Sequence, residues 1–343
     1  MAIGETGLNA CKTDNVILHE NIISFSEFPK KIDITFTDLS EYKTGNPRTL
    51  QLVDSTLFLF NFTKNIESFF YNFDLKTKKL SNGYLDKGRG PNEAIGACCT
   101  GIVDNKLWAY DVTLKKIFTL DKTIALNNDD KIFSSGSVKD NFYQIALKDT
   151  NNFFVCGKTD SEYKIQKLDF SGKLLDQFGE FYHIPKAIPI DALKDAYHSF
   201  FYLKPSGEKL ALSYLYTDVI EIYNIKDPSQ NIALQGPDRV DLNFHVAKRR
   251  NYNYMEKNEE IRKTFLSGAV TNEYIYLAYS GLSYAEKDDM DYCSSVYVYS
   301  WDGSPIKKLN LDRRITCLTV SEDNKIIYSF DADNGFLVKA EIE

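Results

Sequence analysis

The chain has 343 residues, of which 43% are hydrophobic and 26% are charged, as in an ordinary globular protein. Its net charge of −7 argues against a nucleic-acid partner, which would require clustered lysine and arginine side chains. No window of the sequence approaches the ~18 consecutive apolar residues of a membrane-spanning helix, so an association with a membrane would need an attached anchor.

The first element along the chain is a tail with a short processing motif. Residues 8–11 read LNAC, which resembles the site at which bacterial lipoproteins are cut and acylated on cysteine. Residues 1–10 lack the charged and apolar regions of a signal peptide. Cys11 would carry the lipid if the natural start lies upstream, and the alternative is a chance Ala-Cys pair. We predict a tail over residues 1–25 and a single domain over residues 26–343.

Short apolar strands then recur in groups of three or four, separated by polar turns. Such runs, bounded by Gly, Asn, Asp and Ser, are typical of strands joined by tight turns. The 22 Tyr and 23 Phe residues suit half-buried sheet surfaces. The predicted strands are residues 50–53, 57–62, 68–74 and 79–84; 98–103, 107–111 and 116–120; 143–147, 153–157, 163–170 and 173–178; 200–203, 209–214, 219–225 and 231–235; 265–270, 274–279, 295–301 and 306–311; and 315–320, 325–330 and 336–342.

A recurring antiparallel unit of roughly 45–60 residues indicates a β-propeller. We therefore predict an all-β fold with six blades of four antiparallel strands. The second unit needs a weaker fourth strand, and the last unit has only three strands at its C-terminal end. Its fourth strand is predicted to come from residues 31–38. That pairing would close the ring and hide the exposed edges of an open array.

Strand order also predicts where the connections lie. The connections between the second and third strands, and those between blades, meet at one end of a propeller, which we call the top face. Long loops on a rigid scaffold usually carry function, so we expect ligand binding on this face around the channel mouth. The long segments predicted there are residues 85–96, 121–141, 179–199, 236–264 and 281–294.

The candidate binding residues are polar and aromatic side chains of these top-face segments. Histidine ligates metals and exchanges protons near neutral pH, although the simpler interpretation is that these are separate loop residues on different blades. Residues 251–263 are predicted to form a short helix whose tyrosines cover the face or pack on the blade below. The candidates are Arg89, Asn92, His183, His198, His245, Tyr252 and Tyr254.

Asp288, Asp289 and Asp291 form the main acidic cluster. Calcium requires six to eight oxygen ligands, but this spacing lacks the Gly and the distal Glu of a known calcium loop. A solvated acidic loop is therefore favoured, calcium stays possible, and no other cofactor is predicted. The basic run of residues 248–250 is likewise interpreted as a solvated surface.

The cysteines lack the spacing of a zinc site, since no CxxC motif is present. We interpret most of them as small buried hydrophobic residues, and a disulfide between blades stays open as an alternative. Cys98 and Cys99 are predicted to point to opposite faces of a strand, because successive strand residues alternate.

The segment of residues 88–121 carries a family resemblance. Its runs GRGPNE, IVDNKLWAYD and KKIFTLD resemble an NHL-type repeat, and the whole chain resembles the TolB-like six-bladed propellers of Bacteroides-type bacteria. Asn92 stands where a second Gly is usual, and Ala94 and Ile95 stand where an aromatic residue is common. The resemblance implies an exported or lipid-anchored protein and supplies no catalytic residues.

These observations favour a non-enzymatic binding protein of the cell envelope, periplasmic or surface-exposed, that recognises a glycan, peptide or protein as a monomer. The alternative is a propeller enzyme, either a metal-dependent lactonase-like hydrolase or a glycan-cleaving enzyme, with its site at the channel mouth. Few carboxylates in the predicted inner strands argue against that enzyme, and no GxSxG, HExxH or Walker motif is present. A scaffold within a larger envelope complex is the third possibility.

Overall fold

The structure is a computed structural model that describes residues 16–62, 65–127, 131–157, 160–287 and 289–343. Two predicted site residues, Cys11 and Asp288, lie outside the described residues. Three strands precede the first blade: β1 (Ile22–Ser24), β2 (Lys31–Ile34) and β3 (Thr37–Glu41).

Successive groups of strands then form the blades. Blade 1 contains β4 (Pro47–Val53), β5 (Thr56–Asn61), β6 (Ser68–Asp74), β7 (Lys79–Leu80), β8 (Tyr84–Lys87) and β9 (Glu93–Ala94). Blade 2 contains β10 (Ala97–Val103), β11 (Lys106–Asp111), β12 (Lys116–Asp121) and, after helix α1 (Lys122–Leu126), β13 (Ser134–Ser137). Blade 3 contains β14 (Gln144–Leu147), β15 (Asn152–Cys156), β16 (Tyr163–Asp169) and β17 (Leu174–Glu180), and helix α2 (Ile190–Ala196) follows it.

The second half of the chain completes the ring. Blade 4 contains β18 (Ser199–Leu203), β19 (Lys209–Tyr214), β20 (Val219–Asn224), the 3-10 turn Pro228–Gln230 and β21 (Ile232–Gln235). A separate hairpin follows, formed by β22 (His245–Arg249) and β23 (Tyr252–Glu256). Blade 5 contains β24 (Phe265–Val270), β25 (Tyr274–Tyr279), β26 (Cys293–Ser300) and the first part of β27 (Pro305–Val320). The second part of β27 begins blade 6, which continues with β28 (Ile326–Asp331) and β29 (Phe336–Glu341).

The ring is closed by an N-terminal strand, as predicted. The strand β3 pairs antiparallel with β29, with Ser40 opposite Leu337 and Asp38 opposite Val338. The predicted bounds, residues 31–38, are wrong, because residues 31–34 form β2 and pair in parallel with the outer part of β27. Strand β2 thus forms the outer edge of blade 5, and the chain then crosses to blade 6, where it forms β3. Ile32, Ile34 and Phe36 alternate with polar residues in one continuous pattern. The sequence therefore did not indicate that residues 31–34 pair with blade 5 while residues 37–41 pair with blade 6.

The hydrophobic core of the described residues is divided into six clusters, each between two neighbouring blades. Successive side chains of a strand point to opposite faces of its blade, so each blade contributes to the two clusters that flank it, as in other sheets packed face to face. The first strands of successive blades contact one another around the ring, and they therefore line the central channel. This arrangement confirms the predicted six-bladed, all-β architecture.

Three further predictions, two about connections and one about the N-terminal tail, need correction. Segment 121–141 lies only partly on the top face, because β13 is inside it and α1 lies in the link between third and fourth strands. The predicted helix over residues 251–263 is instead the strand β23 and an irregular segment. Segment 22–24, predicted as tail, adds a fifth strand to blade 4. None of the described helices is long and apolar enough to cross a membrane.

Candidate functional site

The top face carries a cleft of about 570 Å³ at the mouth of the channel. We call it the channel-mouth cleft. It is formed where three first strands begin, at Arg48 in blade 1, Gly96 at the entry to blade 2 and Thr316 in blade 6. Its walls carry the aromatic side chains of Phe62, Phe69 and Tyr292, together with Asn46, Pro47, Lys87, Ile95 and Asp291.

Arg48 is the prominent cation of the channel-mouth cleft. Its guanidinium carbon lies 5.8 Å from the centre of the Phe62 ring, and Phe62 is itself 44% exposed. A guanidinium over an aromatic face is held by the ring quadrupole. The ion pairs of the described residues do not include Arg48. Its charge is therefore directed to solvent beside an apolar surface.

His198 lies at the top end of the channel and responds to two cations of the top face. It precedes the first strand of blade 4 and stacks on Tyr143, with 4.2 Å between the ring centres. Burial lowers the pKa of His198 to about 4, and the positive charges of Lys257 and Arg48 lower it further. Cations on two different parts of the top face thus act on one channel residue. The lining of the cleft also includes the Asp291 carboxylate, which pairs with Lys263.

A second cleft of about 570 Å³ lies on the same face between blades 4 and 5. It is lined by Tyr216 and by residues 238–243 and 260–262. Asp218 is fully buried behind it, and its Oδ1 accepts a hydrogen bond from the Val240 amide at 2.9 Å. Burial, and then the negative charge of Asp238, raise the pKa of Asp218 to about 6. This carboxylate holds the loop that walls the second cleft.

Three predicted binding residues, His245, Tyr252 and Tyr254, come together on the hairpin of β22 and β23. In its register Arg249 is opposite Tyr252, Ala247 is opposite Tyr254 and His245 is opposite Glu256, so these side chains share one face. Strand β23 of the hairpin is hydrogen-bonded to helix α2. Asp191 accepts the Asn253 amide at 2.7 Å and Asp195 accepts the Met255 amide at 2.9 Å. The hairpin thus presents an exposed face with aromatic and basic side chains.

The other predicted binding residues are dispersed. The Asn92 side chain accepts from the Phe133 amide at 2.9 Å and donates to the Lys131 carbonyl at 2.9 Å, so it holds the turn in place. Arg89 is exposed on the adjacent turn. His183 exchanges backbone hydrogen bonds with Ile17. Neither Asn92 nor His183 faces the channel-mouth cleft.

The acidic candidates are engaged by cations. Asp289 pairs with Arg314, and Asp291 pairs with Lys263. Across the described ranges, no three His, Cys, Asp or Glu side chains gather into a group that could hold a metal ion. Calcium at this loop stays a prediction.

The cysteine prediction is partly confirmed. Cys99, Cys156, Cys293 and Cys317 are buried, and no disulfide links the described cysteines. The prediction that Cys98 and Cys99 point to opposite faces is wrong, because a β-bulge between residues 97 and 99 breaks the alternation. The two Sγ atoms lie 3.7 Å apart.

Arg48 and Phe62 line the channel-mouth cleft, and neither was among the site residues predicted from the sequence. Both lie at strand ends, Arg48 one residue into β4 and Phe62 directly after β5. The available signal was a cation at the top end of a predicted first strand, directly after the Gly-Asn-Pro turn of residues 45–47. Both residues lie outside the long segments that were predicted to carry the site.

Comparisons with known proteins agree with this architecture. The family model described as TolB-like 6-blade propeller-like matches residues 24–323. A crystal structure of a Bacteroides fragilis protein described as exported has 10% identity and a TM-score of 0.55, covering 94% of this chain and 99% of that one. The β-propeller domain of Myceliophteria thermophila Cps50 (Swd1) has 9% identity and a TM-score of 0.50, covering 90% and 100%. The search of curated proteins found no match.

Proposed function

The chain belongs to the TolB-like six-bladed propeller family, and on that premise we propose that it is a non-enzymatic binding protein of the cell envelope that holds an acidic oligosaccharide in the channel-mouth cleft. The observation that carries this proposal is the pairing of Arg48 with the exposed Phe62 ring at the channel mouth. The ring offers a flat apolar surface for the carbon face of a sugar. The guanidinium offers a forked donor that suits a carboxylate.

The electrostatics of the mouth support an anionic ligand. Arg48 and Lys257 both lower the pKa of His198, so their positive fields overlap in the channel entrance. An acidic protein that concentrates cations at one opening attracts anions to it. Ligand pockets typically combine an apolar lining with a few placed polar groups, and the channel-mouth cleft has this composition.

The location in the envelope is the second part of the proposal. It is supported by the LNAC motif that ends at Cys11. Metabolic labelling with a fatty-acid analogue in a bacterial host, using the natural gene start, tests it. We expect labelled protein in the membrane fraction and loss of the label in Cys11→Ala, whereas labelling that survives this substitution would contradict the anchor.

The binding site is tested by calorimetric titration with oligomers of glucuronic and galacturonic acid, and with glucose oligomers as neutral ligands. We expect the acidic oligomers to bind and the neutral ones to bind more weakly. Removing a charge-assisted hydrogen bond costs about 1.5–3 kcal/mol, so Arg48→Ala should weaken acidic-oligomer binding about tenfold or more. Phe62→Ala should also weaken it.

The hairpin supplies matched control variants for both substitutions. Arg249→Ala and Tyr252→Ala remove the same side-chain types from the same face of the protein, away from the channel-mouth cleft. Both should bind as the unmodified protein does. If these two variants lose binding while Arg48→Ala and Phe62→Ala retain it, the hairpin is the site. If no acidic oligomer binds, the proposed ligand class is wrong.

A further inference from the structure

Cys98 and Cys99 form a vicinal thiol pair on the wall of the channel. They lie at the beginning of β10, the first strand of blade 2, two and three residues after Gly96 of the channel-mouth cleft. A bulge between residues 97 and 99 accompanies the 3.7 Å separation of their Sγ atoms, and Asp111 holds the segment directly before it. Its carboxylate accepts the Ile95 amide at 2.6 Å and the Gly96 amide at 2.9 Å.

The separation of the two sulfurs suits a one-atom bridge. A bond from a thiolate to a soft centre is about 2.3 Å long, so one centre bonded to both sulfurs at an angle of about 90–110° holds them about 3.3–3.8 Å apart. A direct disulfide suits the pair less well. Adjacent Cα atoms are about 3.8 Å apart, whereas disulfides usually span about 4.4–6.8 Å between Cα atoms.

We propose that Cys98 and Cys99 form a bidentate dithiol site for a soft, thiophilic centre of the class of trivalent arsenic. Thiolate ligands select soft centres over hard ones. A trivalent arsenical keeps its own third substituent, so two protein sulfurs complete its coordination. The site therefore needs no third donor from the protein.

The exposures of the two thiols set the order of bond formation. Cys98 is partly exposed, while Cys99 is buried and its Sγ lies 3.7 Å from the Gln144 side-chain oxygen. The neighbouring Cys98 thiol, and then burial, raise the pKa of Cys99 well above its usual value. Cys98 attacks first and Cys99 closes the ring. With phenylarsine oxide, two S–H bonds and one As–O bond are replaced by two As–S bonds, and one water molecule leaves.

The test uses phenylarsine oxide and intact-protein mass spectrometry on the full chain, reduced beforehand with a dithiol that is then removed. We expect one phenylarsenic group per chain. A chelated arsenical resists exchange with a monothiol but yields to a dithiol. The adduct should therefore survive excess mercaptoethanol and be released by dithiothreitol, and peptide mapping should place it on the segment that contains residues 98 and 99.

Single substitutions separate chelation from simple thiol labelling. Cys98→Ser and Cys99→Ser should each abolish the mercaptoethanol-resistant adduct. Cys156→Ser, Cys293→Ser and Cys317→Ser remove buried thiols outside the Cys98–Cys99 pair and should leave it unchanged. Peptide mapping of the unmodified protein gives the same answer if a variant fails to fold. An adduct that mercaptoethanol removes, or a resistant adduct mapped to another cysteine, would overturn the proposal.

Discussion

At the scale of single residues, the most demanding interaction is a buried ion pair between blades 3 and 4. Lys164 of β16 and Glu221 of β20 lie 2.7 Å apart, and their side chains are 2% and 1% exposed. Lys164 also donates to the Leu18 carbonyl at 2.7 Å, and Glu221 accepts from the Tyr223 hydroxyl. Burial lowers the pKa of Lys164, while Glu221 opposes this effect. Each charge is tolerated because its partner is present.

Glu221→Gln should therefore destabilise the protein strongly. It leaves the Lys164 ammonium buried without a counter-charge, and breaking such a pair typically costs roughly 3–5 kcal/mol of unfolding free energy. Denaturant unfolding measures the loss. Replacing both residues with apolar ones, as in Lys164→Met with Glu221→Leu, should recover most of the stability.

The matched control for this prediction is Glu41→Gln. Glu41 pairs with Lys43 at 2.9 Å, but both side chains are more than half exposed. Exposed pairs contribute about 0–1 kcal/mol, so this variant should unfold almost as the unmodified protein does. Equal losses for Glu221→Gln and Glu41→Gln would show that the buried pair is not a source of stability.

At the scale of elements, the strand β3 has the greatest structural effect for its length. Its five residues supply the fourth strand of blade 6 and cover the outer edge of β29. Without it, β29 would expose unpaired backbone groups that invite edge-to-edge association. The ring would also lose the pairing of β29 with β3, which joins the last blade to the N-terminal part of the chain.

A truncation series isolates the contribution of β3. Removing residues 1–15 keeps all described residues, removing residues 1–35 also deletes β1 and β2, and removing residues 1–41 deletes β3 as well. We expect the largest fall in thermal midpoint at the last step, roughly 4 °C for about 3 kcal/mol in a chain of this length. Size-exclusion chromatography should show association of that form. A last step no larger than the one before it would contradict this role.

The sequence allowed the strands to be predicted well and their partners less well. Runs such as residues 107–111 and 274–279 are short, nearly continuous apolar segments bounded by polar turn residues, so the local pattern is enough to predict them. The pairing of residues 31–34 with blade 5 depends on contacts nearly 280 positions away in the chain, which no local pattern contains. The β22–β23 hairpin was missed because its charged turn at Arg250 adopts a positive φ of 57° that the residue type does not suggest.

The candidate site was predicted only at the level of a face. Strand order predicted that the site lies on the top face, and the two clefts described above open on that face. The individual residues did not follow, because proximity between Arg48, Thr316 and Gly96 exists only once the ring has closed. Similarly, the bulge that brings Cys98 beside Cys99 is a feature of the pairing between two strands, which the local sequence does not indicate.

At the scale of the whole molecule, the closed ring concentrates charge where the blades converge. Six first strands meet around the channel, so side chains from distant parts of the sequence share one small volume. His198 reports the field there, since burial, Lys257 and Arg48 together lower its pKa to about 4. The unfolded chain lacks these effects, so it binds a proton to this residue near the ordinary pKa of about 6.5. Folding stability from His198 is therefore complete above that pH and is lost as the pH falls towards 4.

A proton NMR titration of His198 tests both the field and the proposed ligand. The chain has 4 His, and His198→Gln identifies the relevant signal. We expect a pKa of about 4, a higher value in Arg48→Ala because one positive charge is removed, and no change in Arg249→Ala. An acidic oligosaccharide in the channel-mouth cleft should raise the pKa of His198 by supplying a negative charge. A pKa near the ordinary value in the unmodified protein would mean that the channel entrance is neither dry nor electropositive, and the attraction for an anion would then have no physical basis.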